Sequence, residues 1–320
     1  MNLTSPIAIK EILEKYQIKP SKSLGQNFLI DKNILDKIIL AGNLSKQDVV
    51  LEVGPGLGAL TQELAKSAGK VIAIEKDHDM INILSETLKE FENIEIIEGD
   101  ALEILISSSL RGSSQADEAI QNECTDSRLP RSSPAEQANF TRNDKTDIFQ
   151  NYKVVANIPY YLTSHLIRTF LECKNPPEEI ILLIQKEVAL RICAKPPEMS
   201  LLAVSVQFYA KVKIISYVSK NCFLPAPKVD SAIIKITPHI IEGDKELNNF
   251  SGEEFFKIVK AGFSHPRKQL ANNFITSLKL NRKQVEEWLL KNNIKPNQRA
   301  ETLSIKDWRN LVESFPQFDS

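Results

Sequence analysis

Short apolar runs alternate, along the first half of the chain, with segments whose apolar residues lie three or four positions apart. Strands that alternate with helices are typical of βαβ units and of a parallel sheet. Apolar runs of strand length recur further along, and the last two are close enough in sequence to pair antiparallel. The predicted strands are 48–53, 70–75, 94–98, 152–156, 179–184, 211–218 and 231–237. The pattern therefore predicts an α/β fold with a sheet of about seven strands.

Two longer segments depart from this alternation. Residues 107–149 contain eight serines and only six Leu, Ile, Val or Phe. Such a segment cannot bury enough apolar surface to offset its ordering entropy, so we expect a disordered insertion in a surface loop. From 243 onward, apolar residues recur at helical spacing in four stretches, which predicts a small helical domain. The expected organisation is an N-terminal helix and loop at 1–30, an α/β domain at 31–242 and a helical domain at 243–320.

Composition argues against several protein classes. With 320 residues, 42% of them hydrophobic and 25% charged, the chain is an ordinary globular protein. No apolar run approaches the roughly 20 residues that cross a membrane, and the N-terminus lacks a signal-peptide layout. We therefore expect a cytoplasmic protein without a membrane partner. The four cysteines include no C-x-x-C pair, and no two of the four histidines have the spacing of metal ligands. This favours neither a disulfide framework nor a metal site.

Charge is distributed unevenly, although the net charge is only −1. Residues 211–320 carry 18 Lys and Arg against 12 Asp and Glu, whereas the first 210 residues carry 22 against 29. This asymmetry is compatible with a polyanion bound by the C-terminal third. Scattered lysines more often belong to a solvated helical surface, however, so charge alone leaves both interpretations open.

A glycine-rich turn connects a buried strand to a helix near the start of the predicted sheet. The sequence V-V-L-E-V-G-P-G-L-G at 49–58 leads into a helix predicted from Ala59 to Lys66. Glycines in such a turn allow the backbone to approach a ligand closely. Glu75 ends the next strand, 21 residues after Gly54. A carboxylate at that strand end can accept hydrogen bonds from both hydroxyls of a ribose.

Two nucleotide ligands are compatible with this turn. Because Ala59 can stand for the third small residue of G-x-G-x-x-A, a nicotinamide dinucleotide must be considered. Pro55 removes a backbone N–H that would bind pyrophosphate, and Glu52 places a negative charge just before the turn. S-Adenosylmethionine has no phosphate and carries a cationic sulfonium and an amino group. The two residues therefore favour S-adenosylmethionine as the cofactor.

Polar residues also end two further strands. Asp100, in I-I-E-G-D-A, is placed either to accept a hydrogen bond from an adenine amine or to cap the following helix. Asn157, in V-A-N-I-P-Y-Y, is either a turn residue or an acceptor for a planar amine. In the second case Pro159 leaves a neighbouring carbonyl free and Tyr160 offers a flat face. Since ligands bind at the carboxyl ends of parallel strands, the glycine turn in the same sheet favours the functional interpretation of both.

Four motifs, taken together and in order, resemble a known enzyme family. They are L-G-Q-N-F-L at 24–29, E-V-G-P-G-L-G at 52–58, N-I-P-Y at 157–160 and F-L-P-A-P-K-V-D-S at 223–231. The set resembles the ribosomal RNA adenine N6,N6-dimethyltransferase family, specifically its bacterial small-subunit (16S) members, over about residues 8–315. The resemblance implies a Rossmann-like class I methyltransferase sheet with a small C-terminal helical RNA-substrate domain. It also implies S-adenosylmethionine as the cofactor, no metal, and the small ribosomal subunit as the partner of a monomeric enzyme.

The resemblance further implies a reaction. It is dimethylation at N6 of two adjacent adenosines near the 3′ end of small-subunit rRNA, with a role in subunit maturation. A large-subunit methylase of the macrolide-resistance type is one alternative, and an assembly factor for which methylation is secondary is another. The long C-terminal helical region and the sequence R-A-E-T-L-S at 299–304 favour the small-subunit enzyme.

Residue roles follow from the resemblance at the matching positions. The residues implied for the donor site are Asn27, Leu29, Gly54, Glu75, Asp100 and Asn157. Those implied for the target adenine are Asn157, Pro159 and Tyr160, with Phe28 or Phe223 as a second stacking face. The candidate phosphate contacts are Lys228, Arg267 and Lys268.

Overall fold

Seven strands form one mixed sheet in the computed structural model of the chain, as the apolar runs predict. The structure describes residues 1–21, 25–110, 151–239 and 250–315. The strands of the sheet are β2 (Val49–Val53), β3 (Lys70–Glu75), β4 (Ile94–Glu98), β5 (Tyr152–Asn157), β6 (Glu179–Gln185), β7 (Ala210–Val218) and β9 (Ser231–Pro238). Their order is β4-β3-β2-β5-β6-β9-β7. Strands β2 to β6 are parallel, and β9 runs antiparallel to both β6 and β7, which confirms the predicted antiparallel pair.

Twelve α-helices lie in the described residues, and several of the first eight cover both faces of this sheet. They are α1 (Pro6–Lys15), α2 (Lys32–Gly42), α3 (Ala59–Ser67), α4 (His78–Thr87), α5 (Ala101–Leu110), α6 (Thr163–Glu172), α7 (Lys186–Ile192), α8 (Leu201–Tyr209), α9 (Gly252–Gly262), α10 (Leu270–Leu278), α11 (Arg282–Lys291) and α12 (Ile305–Glu313). Successive strand residues point to opposite faces, so an inner strand must be apolar throughout. In β6, Leu182 packs in one core with α6 and α7, whereas Leu183 packs in the other with α2 and α3.

The four helical stretches predicted after residue 243 are helices α9 to α12. Three of them begin with a capping box, which satisfies backbone N–H groups that a helix start leaves unpaired. The boxes pair Ser251 with Glu254, Asn281 with Gln284 and Ser304 with Asp307. The apolar faces of the four helices share one core with α8, in which Trp308 is completely buried. Helix α8 therefore joins the helical domain to the sheet.

Helix α5 extends into the segment that was predicted to be an insertion. Residues 107–110 are the last residues of helix α5, and the Ser107 hydroxyl donates to a carbonyl of the preceding turn at 2.9 Å. The remainder of the predicted insertion, 111–149, lies outside the described residues. The same is true of Leu24 in the first motif and of the domain boundary predicted at 242. Within the described ranges, the helices are too short or too polar to cross a bilayer.

A short antiparallel ribbon brings the N-terminal segment to the sheet. Strand β1 (Phe28–Leu29) pairs with β8 (Phe223–Leu224), so that Leu29 lies opposite Phe223. Each strand has two residues, too few for a periodic apolar pattern, and the ribbon was not predicted. It places the first and last of the four motifs beside each other.

Candidate active site

A cavity opens at the edge of the sheet where the parallel strands β2, β3 and β5 end, which we call the carboxyl edge. The predicted donor-site and adenine-site residues that line it are Asn27, Leu29, Gly54, Glu75, Asp100, Asn157, Pro159 and Tyr160. These residues come from separate segments of the chain. The parallel strands bring most of them together because the glycine turn, Glu75, Asp100 and the N-I-P-Y motif all follow strands at the same edge.

Glu75 connects the glycine turn to the end of β3. Its Oε2 accepts a hydrogen bond from the Gly56 N–H at 3.1 Å, and its Oε1 accepts from the N–H groups of Lys76 and Asp77 at 2.8 and 2.9 Å. Burial raises the pKa of Glu75, and the three N–H donors act against that rise. Because a carboxylate has about four acceptor sites, Oε2 keeps the capacity to accept from a ligand.

The turn requires glycine at its centre. Gly56 has a φ of +58°, and a Cβ there would lie 3.2 Å from the Phe28 ring. The left-handed backbone and the close contact both disfavour a side chain. Gly58, with a φ of +91°, is the residue from which α3 begins. The turn therefore passes from strand to helix with its backbone against the cavity.

Glu52 is a buried acid without a full set of partners. It lines the cavity, and its Oε2 accepts no hydrogen bond from any described residue. Burial, reinforced by the charge of nearby Glu75, raises the pKa of Glu52 to about 8. A buried carboxyl of this kind is satisfied by a ligand that is cationic or donates a hydrogen bond.

Asp100 has two partners at the start of α5. Its Oδ1 accepts from the Leu102 N–H at 2.9 Å, so the side chain caps the helix, and its Oδ2 forms an ion pair with Lys76 Nζ at 2.8 Å. Burial alone would raise the pKa of Asp100, but the Lys76 ammonium and the backbone donors lower it overall. Asp100 thus caps helix α5, as one of the two interpretations of the sequence predicts, and it also lines the cavity.

The N-terminal segment closes one wall of the cavity. Gln26 Nε2 donates to Asp77 Oδ2 at 2.6 Å, and Gln26 Oε1 accepts from the Ser21 N–H at 2.7 Å. Asn27 is held by the strand end opposite, because Asn157 Nδ2 donates to the Asn27 carbonyl at 3.3 Å. This contact fixes the Asn157 amide with its nitrogen toward the N-terminal segment. Its Oδ1 has no hydrogen-bond donor among the described residues.

The backbone of the N-I-P-Y motif offers a second acceptor. The Pro159 carbonyl accepts from the Leu162 N–H at 3.0 Å, as part of a short 3₁₀ turn. The preceding carbonyl, of Ile158, lies outside both this turn and the pairing of β5. Asn157 Oδ1 and the Ile158 carbonyl are therefore the two acceptors that the motif leaves for a ligand.

Tyr160 stands beside these acceptors and is held through its hydroxyl. Its Oη lies 2.7 Å from Oγ of Ser231, a completely buried residue at the start of β9. Burial raises the pKa of Tyr160, so the phenol is neutral at ordinary pH. Tyr161 also lines the cavity, but 60% of its surface is exposed. The anchored ring of Tyr160 is the better defined flat surface.

Comparison with known proteins decides the family. The family model described as ribosomal RNA adenine dimethylase matches residues 17–317. The chain belongs to the ribosomal RNA adenine dimethylase family. Curated proteins named ribosomal RNA small subunit methyltransferase A are similar over almost the whole chain. The protein of Dehalococcoides mccartyi (strain CBDB1) is 39% identical over 96% of this chain and 92% of its own length, and that of Bacillus licheniformis is 37% identical over 98% and 97%.

Solved structures confirm the predicted fold class. A dimethyladenosine transferase from Plasmodium falciparum superposes with a TM-score of 0.62 at 26% identity and covers 88% of this chain and 95% of its own. The 23S rRNA methyltransferase ErmE has a TM-score of 0.63 at 23% identity, covering 90% and 99%, which supports the fold alone. The adenine dimethylase therefore has the class I methyltransferase sheet, and it is a methyltransferase enzyme, as the four motifs predict.

Some residues predicted for the dimethylase site lie elsewhere. The Phe223 side chain, 3% exposed, packs in the core with α2 and α3 and does not line the cavity. Its pairing with Leu29 turns it inward, so of the two candidate second stacking faces only Phe28 reaches the cavity. Lys228, Arg267 and Lys268 are exposed and lie outside the cavity. The last two belong to the segment between α9 and α10.

Other features of the dimethylase cavity were missed from the sequence. Lys76 directly follows Glu75, and its position one residue beyond a strand end was the available signal. Ser231 closes the last motif, but its partner Tyr160 is 71 residues away. Leu3, a buried residue that also lines the cavity, carries no recognisable signal. In the described part of the chain, no group of His, Cys, Asp and Glu side chains could hold a metal ion.

Replacing Glu52 by glutamine should stabilise the ligand-free dimethylase in a pH-dependent way. In the folded chain the pKa of Glu52 is raised from 4.5 to about 8. Between these values the unfolded chain loses a proton that the folded chain keeps, so wild-type stability falls as pH rises. The gain in free energy of unfolding for Glu52→Gln should therefore be larger at a pH of about 7.5 than at about 5. Urea unfolding at both pH values measures it, and an equal gain at both would contradict the assignment.

Proposed function

We propose that the enzyme transfers methyl groups from S-adenosylmethionine to N6 of two adjacent adenosines near the 3′ end of small-subunit rRNA. It acts as a monomer on the small ribosomal subunit in the cytoplasm and contributes to maturation of the subunit. The observation that carries this proposal is the fixed amide of Asn157. Its nitrogen donates to the Asn27 carbonyl, which leaves Oδ1, on a residue that lines the cavity, available as an acceptor for an amine.

The cavity fits the methyl donor at three strand ends. Glu75 would accept hydrogen bonds from the ribose hydroxyls, and Asp100 would accept one from the adenine amine once Lys76 moves aside or bonds elsewhere. The backbone at Gly54 would contact the methionine end, and Asn27 and Leu29, which line the same cavity, would contact the donor from the N-terminal segment. The unpartnered Oε2 of Glu52 supports a ligand that is cationic or donates a hydrogen bond, and a pyrophosphate does neither. When bound, S-adenosylmethionine supplies an electrophilic methyl group on a positively charged sulfur.

Asn157 and Ile158 activate the adenine by orienting it. An exocyclic adenine amine is a poor nucleophile because its lone pair is delocalised into the ring. When Asn157 Oδ1 and the Ile158 carbonyl accept its two hydrogens, the nitrogen becomes more tetrahedral and its lone pair faces the methyl group. Positioning of this kind contributes as much as roughly 7–11 kcal/mol. The transfer forms the N–CH3 bond, breaks the S–CH3 bond and leaves S-adenosylhomocysteine as a neutral thioether. The nitrogen, now cationic, then loses a proton to water, so a strong general base is not required.

The second methylation uses the same pocket with one contact fewer. A monomethylated amine has a single hydrogen left, so only one of the two acceptors can bond it. The Pro159 carbonyl is engaged by the Leu162 N–H. The two acceptors that remain, Asn157 Oδ1 and the Ile158 carbonyl, therefore lie in one short segment. The acceptor that does not bond this hydrogen faces the methyl group already added. The lone pair of the amine nitrogen keeps its direction toward the donor.

Tyr160 holds the unstacked adenine. Extracting a base costs a few kcal/mol, and stacking on an aromatic ring returns about 1–3 kcal/mol. Phe28 is the candidate for the second face, because it lines the same cavity. Lys228, Arg267 and Lys268 are placed outside the cavity, where we propose that they contact phosphates of the rRNA. The helical domain proposed at 243–320 would supply the last two.

Removing the hydroxyl partner of Tyr160 should slow methylation modestly. Ser231→Ala leaves the Tyr160 hydroxyl without its 2.7 Å contact, and the loss of one neutral hydrogen bond costs about 1 kcal/mol, or roughly fivefold in kcat/KM. Tyr160→Phe should show a similar loss, and the double variant should be no worse than either. Additive losses would mean that the two side chains act independently.

The substrate is tested by comparing the two ribosomal subunits. Unmodified small subunits and large subunits are each incubated with the enzyme and S-adenosylmethionine carrying a labelled methyl group. The proposal expects label in small-subunit rRNA, in agreement with the names of the similar curated proteins. Label found only in large-subunit rRNA would support the macrolide-resistance type of methylase instead.

A further inference from the structure

A second concave surface lies on the carboxyl edge, beyond the cavity. It is lined by three lysines, two acids and two apolar residues, and we call it the lysine groove: Lys186, Lys220, Lys228, Glu187, Asp230, Leu190 and Val229. Helix α7 forms one wall, and the loop before β9 forms the other. In the sheet order β5-β6-β9-β7, this position is where β6 and β7 end and β9 begins.

The three lysines of the groove are not paired with acids in the described part of the chain. Within the described residues, Lys186, Lys220 and Lys228 have no ion-pair partner, whereas Lys32 and Lys153 at other surfaces do. The two acids of the groove, Glu187 and Asp230, form no ion pair with these lysines, and Oδ1 of Asp230 accepts from the backbone N–H of Lys220 at 3.1 Å, so the groove keeps a net charge of +1. Lysines without partners in a concave surface attract a polyanion such as the phosphate backbone of RNA.

An exposed aromatic ring stands at the edge of the groove. Tyr217, on the edge strand β7, is 53% exposed, and Lys186 Nζ lies 5.0 Å from its ring centroid. Leu190 and Val229 are each 46% exposed beside the lysines. Flat and apolar surface interleaved with ammonium groups fits unpaired bases together with phosphates, which is the chemistry of single-stranded RNA.

A few residues of the chain connect the lysine groove to Tyr160, the proposed stacking face for the target adenine. The Lys186 N–H donates to the Asp230 carbonyl at 3.0 Å, which ties the start of α7 to the groove loop. The next residue, Ser231, bonds the Tyr160 hydroxyl. An RNA strand with one adenosine on Tyr160 therefore has its neighbouring nucleotides close to the lysine groove.

We propose that the lysine groove binds the single-stranded RNA that flanks the target adenosines, an assignment that rests on the proposed function. Lys186, Lys220 and Lys228 contact its phosphates, and Tyr217 stacks on one of its bases. The groove adds affinity for the RNA and takes no part in methyl transfer itself. Changes in it should therefore alter RNA binding and KM but not kcat or donor affinity.

The charge contribution is tested with the double variant Lys220→Ala/Lys228→Ala. Its Kd for protein-free small-subunit rRNA, measured across a series of KCl concentrations, should rise about tenfold or more. The slope of log K against log salt should become shallower by about 1.4, because each phosphate contact to a single strand contributes about 0.7. The matched control is Lys89→Ala/Lys174→Ala, which removes two exposed lysines that precede β4 and β6 at the opposite edge of the sheet. An unchanged Kd or an unchanged slope in the groove variant would overturn the assignment.

The stacking contribution is tested at Tyr217. Tyr217→Ala should weaken binding of the same RNA about fivefold or more, whereas Tyr217→Phe keeps the ring and should bind like the unaltered enzyme. Equal losses in the two variants would overturn stacking. Losses seen with intact subunits but not with protein-free rRNA would mean that a ribosomal protein occupies the groove, which also overturns the assignment.

Different experiments test the groove assignment and the proposed function. If the unaltered enzyme puts no methyl groups on the small subunit, the proposed function is wrong. If it does methylate the subunit, but the Lys220→Ala/Lys228→Ala variant binds RNA with an unchanged Kd, only the groove assignment is wrong.

Discussion

Replacing Asn157 by alanine should lower kcat for methyl transfer by at least about 100-fold, because the adenine amine loses the side-chain acceptor that orients its lone pair. In the fold, this acceptor is held by the hydrogen bond from Asn157 Nδ2 to the Asn27 carbonyl at 3.3 Å. The Kd for S-adenosylmethionine should change much less, because the ribose and adenine partners of the donor remain. Single-turnover methylation of unmodified small subunits, with donor binding measured by calorimetry, separates the two effects.

Two variants serve as controls for this result. Asn157→Asp keeps an acceptor oxygen but removes the amide donor that holds Asn27, so its loss should be smaller than that of alanine. Asn33→Ala removes an exposed asparagine side chain on α2, away from the cavity, and should leave kcat unchanged. A kcat near that of the unaltered enzyme in Asn157→Ala would exclude Asn157 from the acceptor site.

Replacing Glu75 by alanine should weaken binding of S-adenosylmethionine by about 1.5–3 kcal/mol, or roughly 10- to 150-fold in Kd. The Glu75 carboxylate is buried and is oriented by the N–H groups of Gly56, Lys76 and Asp77. Its side chain therefore loses little conformational entropy when it accepts hydrogen bonds from a ribose. Calorimetric titration of the purified enzyme with the donor measures the change. A circular dichroism melt of each variant shows whether the glycine turn still folds.

The sheet itself supplies a matched control for Glu75. Glu98 lies directly opposite Glu75 in the register of β3 and β4, but its side chain is exposed and contacts His78. Glu98→Ala should leave the Kd for the donor unchanged. Glu75→Gln, which keeps the shape and one acceptor oxygen, should fall between alanine and the unaltered enzyme. If Glu75→Ala binds the donor as tightly as Glu98→Ala, Glu75 has no role in the donor site.

Much of the sheet and of the residues that line the cavity could be predicted because the signals are local. Apolar runs define the strands, and a glycine turn, Glu75, Asp100 and Asn157 follow four of them in sequence. In a parallel sheet such strand ends must meet at one edge, so local position was enough to bring the residues together. The reaction was inferred from the family resemblance, because the spacing of residues does not indicate it.

The remaining features depend on contacts between distant segments. Ser231 meets the Tyr160 hydroxyl only because β9 inserts beside β6, and the ion pair of Lys76 with Asp100 requires β3 and β4 to be adjacent. Phe223 was expected at the adenine because it is an aromatic residue in a motif. Its place in a two-residue ribbon turns the ring into the core instead. Such directions are set by tertiary packing and have no periodic pattern in the sequence.

The most direct test of the account is nucleoside analysis of small-subunit rRNA after reaction. Unmodified small subunits are incubated with S-adenosylmethionine and either the unaltered enzyme or Asn157→Ala, and the rRNA is digested and analysed by mass spectrometry. The account predicts N6,N6-dimethyladenosine, at two residues per subunit, with the unaltered enzyme and almost none with the variant. Methyl groups on any other base atom, or equal dimethyladenosine with both proteins, would contradict it.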